Sequence, residues 1–447
     1  MLASRFSLAF KQNFPDLLGS SLLAAVSGGP DSTALAHLLA EARSQLGITF
    51  AVAHVHHGFR GKEADEDAAF CEQLAGNLRV PFFMEKLPPP PQKVSREAWW
   101  REQRYQALGK LQRRFGAAAV ATGHTMDDQA ETVLFKLFRG SGPRGVAGIR
   151  RRLKDVIRPL LDFRRHELLV YLEEKGVGFR LDSSNLVADR PRTFVRWRVL
   201  ASLERAFPKA VEHLAWFAGE LREDEEFLLQ ITLAQAPLLQ LGRSQPLENV
   251  AALPDCLRRR WLQAQAALLP LQEPPSRRQF SLFCSLLDQG EPKALDLGAR
   301  WVLARQGRSL TLCPPPIPPF PPVPVACPGI FPLPGGFVLG VGKGVARADH
   351  WVSLSPRLQE LPLTVTGTPT RFQGRLVRRE LARLGVPKQW RAAWPALSVG
   401  GTIVWVPGVG ALPSWRHADG IRVELEEPWE RHGKSSLPKP LLNGLKP

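Results

Sequence analysis

The chain reads Ser27-Gly28-Gly29-Pro30-Asp31-Ser32 directly after an apolar run, Ser21 to Val26, and a helical pattern follows over Thr33 to Ala40. Two consecutive glycines let the backbone turn tightly, and the positive end of the following helix dipole points to the same place. Ser27 and Ser32 can add hydroxyl donors, and Asp31 can hold a Mg2+ ion that accompanies phosphates. The hexapeptide therefore predicts a phosphate-binding loop. The alternative is an ordinary glycine turn in which Asp31 caps the helix.

Composition points to a soluble protein with a polyanionic partner. The 447 residues are enough for two or three domains, and lysine plus arginine exceed aspartate plus glutamate by 59 to 42, a net charge of +17. Nucleic acid is the first explanation for such an excess, and solubility alone is the other. The five cysteines form no Cys-x-x-Cys pair, which argues against a zinc or iron–sulfur site and fits a reducing cytoplasm. No apolar run is long enough to span a bilayer, so we expect no membrane partner.

The first part of the chain alternates short strand-like runs with amphipathic stretches. The predicted strands are Leu22 to Val26, Phe50 to Val55, Phe82 to Lys86 and Ala117 to Ala121. This alternation predicts an α/β fold, a parallel, doubly wound sheet with helices on both faces. Ligands of such sheets bind beyond the carboxyl ends of the strands, where the Ser27–Ser32 loop lies.

Later segments differ in composition and predict further domains. Residues 1–195 form the α/β domain, and 196–312 read as a mainly helical domain that ends in a hairpin over Leu295 to Leu312. Residues 313–335 are a proline-rich linker, because eight of the eleven residues from Pro314 to Pro324 are proline. Residues 336–427 form a small α+β domain with a basic helix, Leu376 to Leu384, and a strand, Thr402 to Val406. Residues 428–447 form a disordered tail.

A second polar segment stands where the fourth predicted strand becomes a helix. It reads Gly123-His124-Thr125-Met126-Asp127-Asp128-Gln129-Ala130-Glu131-Thr132. Spacings of three and four residues place Asp127, Asp128 and Glu131 near one face of the first helical turns. Three crowded carboxylates repel each other unless a cation joins them, which indicates a metal or a substrate ammonium. The alternative is that the two aspartates complement the helix dipole and that Glu131 is solvated.

Taken together, these motifs resemble the N-type ATP pyrophosphatase, or PP-loop, family, and within it the bacterial tRNA(Ile)-lysidine synthases. The fold that this resemblance implies is adenine nucleotide alpha hydrolase-like. The resemblance covers nearly the whole chain. It rests on the two segments quoted above and on His54–Gly58, Glu97, Arg101, Arg104, Tyr105, Arg139–Gly142, Arg158–Leu161, Asp182–Asn185, Val386-Pro387, Trp390-Arg391, Pro395 and Ile403–Gly408.

The resemblance implies an enzyme that uses ATP and Mg2+ to join free L-lysine to the wobble cytidine of isoleucine tRNA with a CAU anticodon. It implies that Asp31, with Asp127, holds the metal. Asp128 and Glu131 bind the lysine ammonium and accept its proton, and Arg104 holds the lysine carboxylate or the adenylate phosphate. The cofactor-binding residues it implies are Ser27, Gly28, Gly29, Pro30, Asp31, Ser32, His54, His56, Gly123 and His124. The tRNA-binding residues it implies are Arg139, Arg144, Arg192, Arg196, Arg378 and Arg379.

The chain departs from the family pattern at three positions, yet none of them removes a carboxylate or a residue of the phosphate loop. Thr125 replaces a second histidine, Thr193 replaces an asparagine, and Ala201 replaces a proline. Two other functions stay open. A sibling tRNA thiolase would use the same loop, although cytidine thiolases bring paired cysteines that this chain lacks, and a tRNA-binding protein could have lost catalysis. The sequence leaves the oligomeric state open, including a homodimer.

Overall fold

The computed structural model divides the chain into two compact units, Met1–Glu225 and Glu226–Pro447. The described residues are 2–58, 61–90, 96–180, 191–240, 244–269, 271, 273–288, 293–315, 321–334, 337–342, 350–384, 386 and 390–426. The tail predicted for 428–447 lies outside them. Residues 196–225, which the sequence assigns to the helical domain, belong to the first unit.

The first unit contains a six-stranded sheet with helices on both faces. Its strands are β1 (Ser21–Ala25), β2 (Thr49–His56), β3 (Phe82–Lys86), β4 (Ala119–Thr122), β5 (Arg152–Leu153) and β6 (Val156–Ile157). Its helices are α1 (Leu2–Asn13), α2 (Pro30–Leu46), α3 (Lys62–Leu78), α4 (Arg96–Phe115), α5 (Met126–Phe138), α6 (Pro143–Val146), α7 (Arg165–Glu174), α8 (Pro191–Phe194), α9 (Ala201–Ala206) and the start of α10 (Ala210–Gln235). A π-helical turn, Val195–Leu200, connects α8 to α9.

Alternation along the central strands creates two cores. Leu22 and Ala24 of β1 pack into a core with α2, whereas Leu23 faces the opposite core with α4. In β2, Phe50 and Val52 pack into the core with α2, whereas Ala51 and Ala53 pack into the core with α4. Both faces of these strands are buried because a strand sends successive side chains to opposite faces of its sheet.

Strand order fixes where a ligand can bind. The order is β3-β2-β1-β4-β6-β5, and every neighbouring pair is parallel except β5 with β6. The chain runs from β1 to β2 and β3 on one side, and β4 then lies on the other side of β1. The carboxyl ends of β1 and β4 therefore flank the topological switch point, where open α/β sheets bind their ligands. The prediction of a doubly wound parallel domain is confirmed.

The second unit contains helices followed by antiparallel sheets. Its helices are the remainder of α10, α11 (Glu248–Ala251), α12 (Asp255–Ala267), α13 (Arg277–Asp288) and α14 (Val377–Arg383). Its strands are β7 (Ser244–Pro246), β8 (Ala294–Gly298), β9 (Trp301–Gln306), β10 (Ser309–Cys313), β11 (Val323–Val325), β12 (Gly329–Pro332), β13 (Val338–Val341), β14 (His350–Leu354), β15 (Leu363–Thr366), β16 (Arg371–Phe372), β17 (Arg375–Leu376), β18 (Ala396–Val399), β19 (Thr402–Val406), β20 (Gly410–Ala411) and β21 (Ile421–Glu426).

These elements confirm the helical and the small α+β regions and correct two details. The predicted hairpin over 295–312 is a meander of β8, β9 and β10, extended by β7 into a four-stranded sheet. Part of the predicted linker is sheet rather than spacer, because β11 pairs with β15 and β12 pairs with β13. Short strands with one buried face can accommodate proline at an edge, which explains how a proline-rich stretch enters a sheet.

Candidate active site

The loop after β1 is organised by its own side chains. The Ser32 hydroxyl donates to the Gly29 carbonyl at 3.0 Å and accepts from the Ser27 N–H at 3.1 Å. Gly28 has a φ of +89°, a conformation that a side chain disfavours, and its carbonyl accepts from the Arg180 N–H at 2.8 Å. Gly29 caps α2, with Pro30 in the first turn. The chain therefore turns directly from β1 into a helix N-terminus, as a phosphate site requires.

Gly123 places the end of β4 against this loop. A Cβ atom at Gly123 would lie 2.9 Å from the Ser32 backbone nitrogen and 3.0 Å from the Asp31 carbonyl carbon. Real Cβ atoms do not approach backbone so closely, so only glycine fits without displacing the loop. The two predicted segments thus meet at the switch point.

A cavity of about 430 Å3 opens there, within the range typical of small-molecule sites. Its lining joins the phosphate loop, the ends of β2 and β4, one face of α4 and an ionic cluster. The lining residues are Ala25, Val26, Ser27, Gly29, Pro30, Asp31, Ser32, Ala53, Val55, His57, Arg101, Arg104, Tyr105, Leu108, Thr122, Gly123, His124, Asp128, Arg165, Arg192 and Arg196.

Of the three histidines predicted to bind the cofactor, His124 lines this cavity, whereas His54 and His56 do not. His54 Nδ1 lies 3.0 Å from the Val26 carbonyl, and His56 Nε2 lies 3.0 Å from an Asp65 carboxylate oxygen. Val55 and His57 reach the cavity instead. The reason is strand alternation, since His54 and His56 belong to the face of β2 that α3 covers. The cofactor-binding role of His54 and His56 therefore stays a prediction; in the structure His57 faces the cavity, and His54 and His56 contact Val26 and Asp65.

Asp31 lines the cavity, and one of its two carboxylate oxygens has no hydrogen-bond partner. Its Oδ2 accepts from Arg165 Nε at 3.0 Å, whereas its buried Oδ1 has no hydrogen-bond partner. Burial raises the pKa of this carboxyl to about 6, and Arg165 only partly offsets that effect. An unpartnered buried carboxylate oxygen beside a phosphate loop fits a Mg2+ ligand, because Mg2+ takes one or two carboxylates and completes its shell with phosphates and water.

Thr125, one of the three departures from the family pattern, has a structural role at the start of α5. Its hydroxyl accepts from the Asp128 N–H at 3.3 Å, and Asp128 Oδ2 accepts from the Thr125 N–H at 2.9 Å. This reciprocal arrangement is a capping box, which satisfies N–H groups at a helix terminus. It also fixes Asp128, so that Oδ1 is left for other partners.

Arginines provide the cation that the acidic cluster needs. Arg165 lies 3.0 Å from Asp128 and 3.3 Å from Glu131, in addition to its contact with Asp31. Burial alone would raise the pKa of Asp128, but Arg165 and the Thr125 N–H outweigh it and lower that pKa. The sequence indicated that a metal or a substrate ammonium neutralises this cluster. In the structure the neutralising cation is a side chain of the protein itself, Arg165.

Two further arginines, both predicted to bind tRNA, close the cluster from α8 and the π-helical turn. Arg196 Nε lies 2.6 Å from Glu131, and Arg192 Nε lies 3.4 Å from it. Glu131 is fully buried, whereas the side chain of Arg192 is 49% exposed. Burying a carboxylate is costly unless it is paired, and these arginines are the partners that Glu131 needs.

Asp127, assigned to the metal beside Asp31, points to a different partner. Both of its carboxylate oxygens lie 3.3 Å from Arg164, and Oδ2 also accepts from the Arg165 N–H at 2.7 Å. Asp127 is not among the residues that line the cavity. Its metal-binding role therefore stays a prediction. In the structure it anchors the start of α7, together with the Arg164 contacts to Glu204 and Glu212.

Arg164 and Arg165 are the functional residues that sequence reasoning missed. They follow the quoted acidic segment by more than thirty residues, and no local spacing links them to it. One signal was available: two arginines at the start of a helix stand at the positive end of its dipole, where cations are unfavourable unless acids meet them.

The part of the cavity lining that α4 supplies is basic and aromatic. Arg104 and Arg101 line it, and their guanidinium carbons lie 5.5 and 5.6 Å from the centre of the Tyr105 ring. His124 reaches the same cavity and lies 2.9 Å from the Thr122 hydroxyl through Nδ1. Burial lowers the pKa of His124 to about 4, so its imidazole is neutral near pH 7. The remaining predicted tRNA contacts are exposed on the surface: Arg139 and Arg144 in the first unit, and Arg378 and Arg379 on α14 in the second.

Metal clusters and membrane-spanning helices are both absent from the described residues. No group of three or more histidine, cysteine, aspartate or glutamate side chains in this part of the chain is arranged as a metal site. A site completed by phosphates, as argued for Asp31, is of a different kind. No helix among the described residues is long and apolar enough to cross a membrane.

The curated relatives of this chain share one name. A family model described as a PP-loop domain matches residues 2–203. The chain is similar to the tRNA(Ile)-lysidine synthase of Thermus thermophilus, with 37% identity over 401 residues that cover 88% of this chain and 69% of that protein. The enzyme of the same name from Chlorobaculum tepidum is 39% identical over 232 residues, which cover 50% of this chain and 70% of the relative.

Two further matches cover about half of this chain. The tRNA(Ile)-lysidine synthase of Dehalococcoides mccartyi is 38% identical over 236 residues, 49% of this chain and 50% of that protein. Among solved structures, a U34-tRNA thiolase from Methanococcus maripaludis shares 17% identity and covers 49% of this chain and 78% of its own, with a TM-score of 0.42.

Proposed function

Since the chain belongs to the tRNA(Ile)-lysidine synthases, we propose that it joins free L-lysine to the 2-carbon of the wobble cytidine in isoleucine tRNA with a CAU anticodon. ATP adenylates the 2-oxygen of that cytosine and releases diphosphate. The amine of lysine then displaces AMP and gives lysidine, which pairs with adenine instead of guanine. Codon reading changes from AUG to AUA, and the reaction takes place in the cytoplasm, where tRNA is used.

One observation carries this proposal. The phosphate loop and Asp128 line the same cavity at the switch point, and the buried Glu131 contacts three arginines of the cavity lining, Arg165, Arg192 and Arg196. A ligase that makes an adenylate and then admits an amine needs an anion site and a cation site on either side of the reacting base. The cavity offers both.

The loop end suits ATP. Adenylation requires the triphosphate to be held in line with the attacking oxygen while its charge is neutralised. The residues Ser27, Gly29 and Ser32 supply the turn and the hydroxyls, and Asp31 supplies the free carboxylate oxygen for Mg2+. Mg2+, when bound, neutralises charge that develops on the diphosphate leaving group. Arg104, which also lines the cavity, can pair with the adenylate phosphate or the lysine carboxylate.

The acidic end suits lysine. The free amine has an ordinary pKa of about 10.4, so it arrives as an ammonium and has to lose a proton before it attacks. Asp128 and Glu131 are the carboxylates that can bind it and accept that proton. In the structure guanidinium groups occupy them, so the ammonium replaces one of these partners. Arg192 is the easiest to displace, because its side chain is half exposed and its closest contact is 3.4 Å.

The direct test is product analysis. Protein, Mg-ATP and lysine are incubated with isoleucine tRNA that carries a CAU anticodon, and in parallel with methionine tRNA that has the same anticodon. The nucleosides are then identified by mass. We expect lysidine in the isoleucine tRNA alone. Unmodified cytidine, from a folded protein that binds ATP and this tRNA, would contradict the proposal.

A further inference from the structure

A second cavity, apolar and about 770 Å3 in volume, lies on the surface of the first unit. It runs between the last turns of α5 and the segment formed by α8 and the π-helical turn. Phe135, Phe138 and Phe194 form its walls with Val195 and Val199, and Arg139 lies at its rim. Phe138 is 64% exposed and Phe194 is 56% exposed, so two aromatic rings face solvent at one place. A contiguous exposed apolar patch, unlike single exposed side chains, is typical of a surface that binds a partner.

The charges around this groove select the kind of partner. Residues 135–144 and 191–200 contain six basic side chains and no acidic one. The basic residues are Lys136, Arg139, Arg144, Arg192, Arg196 and Arg198. Arg139 also stacks over Phe135, with 5.4 Å from the guanidinium carbon to the ring centre. Aromatic faces inside a basic rim are the pattern that binds single-stranded nucleic acid, since rings stack on bases while cations meet phosphates.

The groove is continuous with the catalytic cluster through the elements that build both. On α5, Phe135 lies one turn after Glu131. Phe138 comes seven residues after Glu131, which is about 10 Å along the helix axis at 1.5 Å per residue. On the opposite segment, Phe194 lies between Arg192 and Arg196, the two arginines that contact Glu131. A base held in the groove would therefore lie beside a base held at the active site.

We propose that this groove stacks an unpaired RNA base adjacent to the one that reacts, between the rings of Phe138 and Phe194. The inference rests on the proposed function and names the part of the substrate that this surface takes. An enzyme that works on a base has to draw it out of its stack, which leaves the neighbouring base without a partner. A replacement stacking surface stabilises the open loop and positions the target.

The test uses an anticodon stem-loop in which the loop nucleotide on one side or the other of the target cytidine is 2-aminopurine, whose fluorescence is quenched by stacking. We expect the wild-type protein to quench the probe on at least one side. Phe194→Leu and Phe138→Leu should abolish that quenching and weaken stem-loop binding by about tenfold. Phe194→Trp, which retains an aromatic face, should restore both.

Phe207→Leu is the matched control, because Phe207 is an aromatic residue of the same unit with the same 64% exposure and does not line the groove. ATP binding by each variant confirms that the catalytic unit is folded. Quenching and affinity in the Phe194 and Phe138 variants equal to those of Phe207→Leu would overturn the inference.

The two proposals can fail separately. If the wild-type protein forms lysidine but quenching of 2-aminopurine does not depend on Phe138 or Phe194, the stacking groove is refuted and the proposed function stands. Ring-dependent quenching without lysidine formation supports the groove and refutes the proposed activity.

Discussion

The two ends of the catalytic cavity are built in different ways. At the phosphate end, six consecutive residues fold on themselves, and the Ser27 and Ser32 contacts span only five positions. At the acidic end, the partners of Glu131 come from residues 34 to 65 positions away. The first end is local and depends on backbone; the second depends on long-range ion pairs between side chains.

This difference determines what each end tolerates. A backbone turn presents neutral N–H donors in fixed positions. Because these donors need no counter-ion, a phosphate can bind to them without displacing another group. A buried acidic cluster is stable only while its counter-ions remain, so a substrate ammonium can enter by exchange with a guanidinium. We infer that the loop end holds its ligand by fixed geometry and that the acidic end binds by replacement.

Asp31→Asn should have the largest effect, because it tests whether the local end supplies the chemistry. The amide retains the shape but loses the charge of the free Oδ1, so formation of AMP and diphosphate should fall by about 1,000-fold. Binding of tRNA, measured by filter retention, should stay close to the wild-type value. Equal losses of both would show that Asp31 is structural.

Arg165→Gln should destabilise the acidic end strongly. It removes the counter-ion shared by Asp31, Asp128 and Glu131, and breaking a buried ion pair lowers the free energy of unfolding by about 3 kcal/mol or more. Urea unfolding measures this change. The control is Lys110→Gln, which removes an exposed ion pair with Glu85 and should lower the free energy of unfolding by less than about 1 kcal/mol. Similar losses in the two variants would contradict the central role of Arg165.

Gly123→Ala should lower stability by less than Arg165→Gln does, and it tests the contact between strand β4 and the loop. The added methyl group meets the backbone of Asp31 and Ser32, so we expect a loss of about 1–3 kcal/mol and weaker ATP binding by calorimetry. The control is Gly76→Ala in α3, where a Cβ meets nothing within 4 Å and helix propensity favours alanine by about 0.5–1 kcal/mol. Unchanged ATP affinity in Gly123→Ala would show that the loop moves freely.

The same contrast explains how much the sequence predicted. Strand β3 was predicted residue for residue, and β4 was placed within two residues at its start, because short apolar runs between helical patterns indicate parallel strands. The phosphate loop was readable because its signal is local. His54 and His56 were predicted to bind the cofactor from the motif alone, and a motif gives the residues but not the face of the strand on which each one lies. Arg164 and Arg165 were missed because only folding brings α7 to α5.

The most direct test of the account separates the two half-reactions with Glu131→Gln. If one end of the cavity activates ATP and the other prepares lysine, this variant retains tRNA-dependent exchange of diphosphate with ATP. Its formation of lysidine falls by about 100-fold, the scale of a lost general base. Loss of exchange and of lysidine formation to the same extent, in a variant that unfolds at the wild-type urea concentration, would contradict the division of the site into two ends.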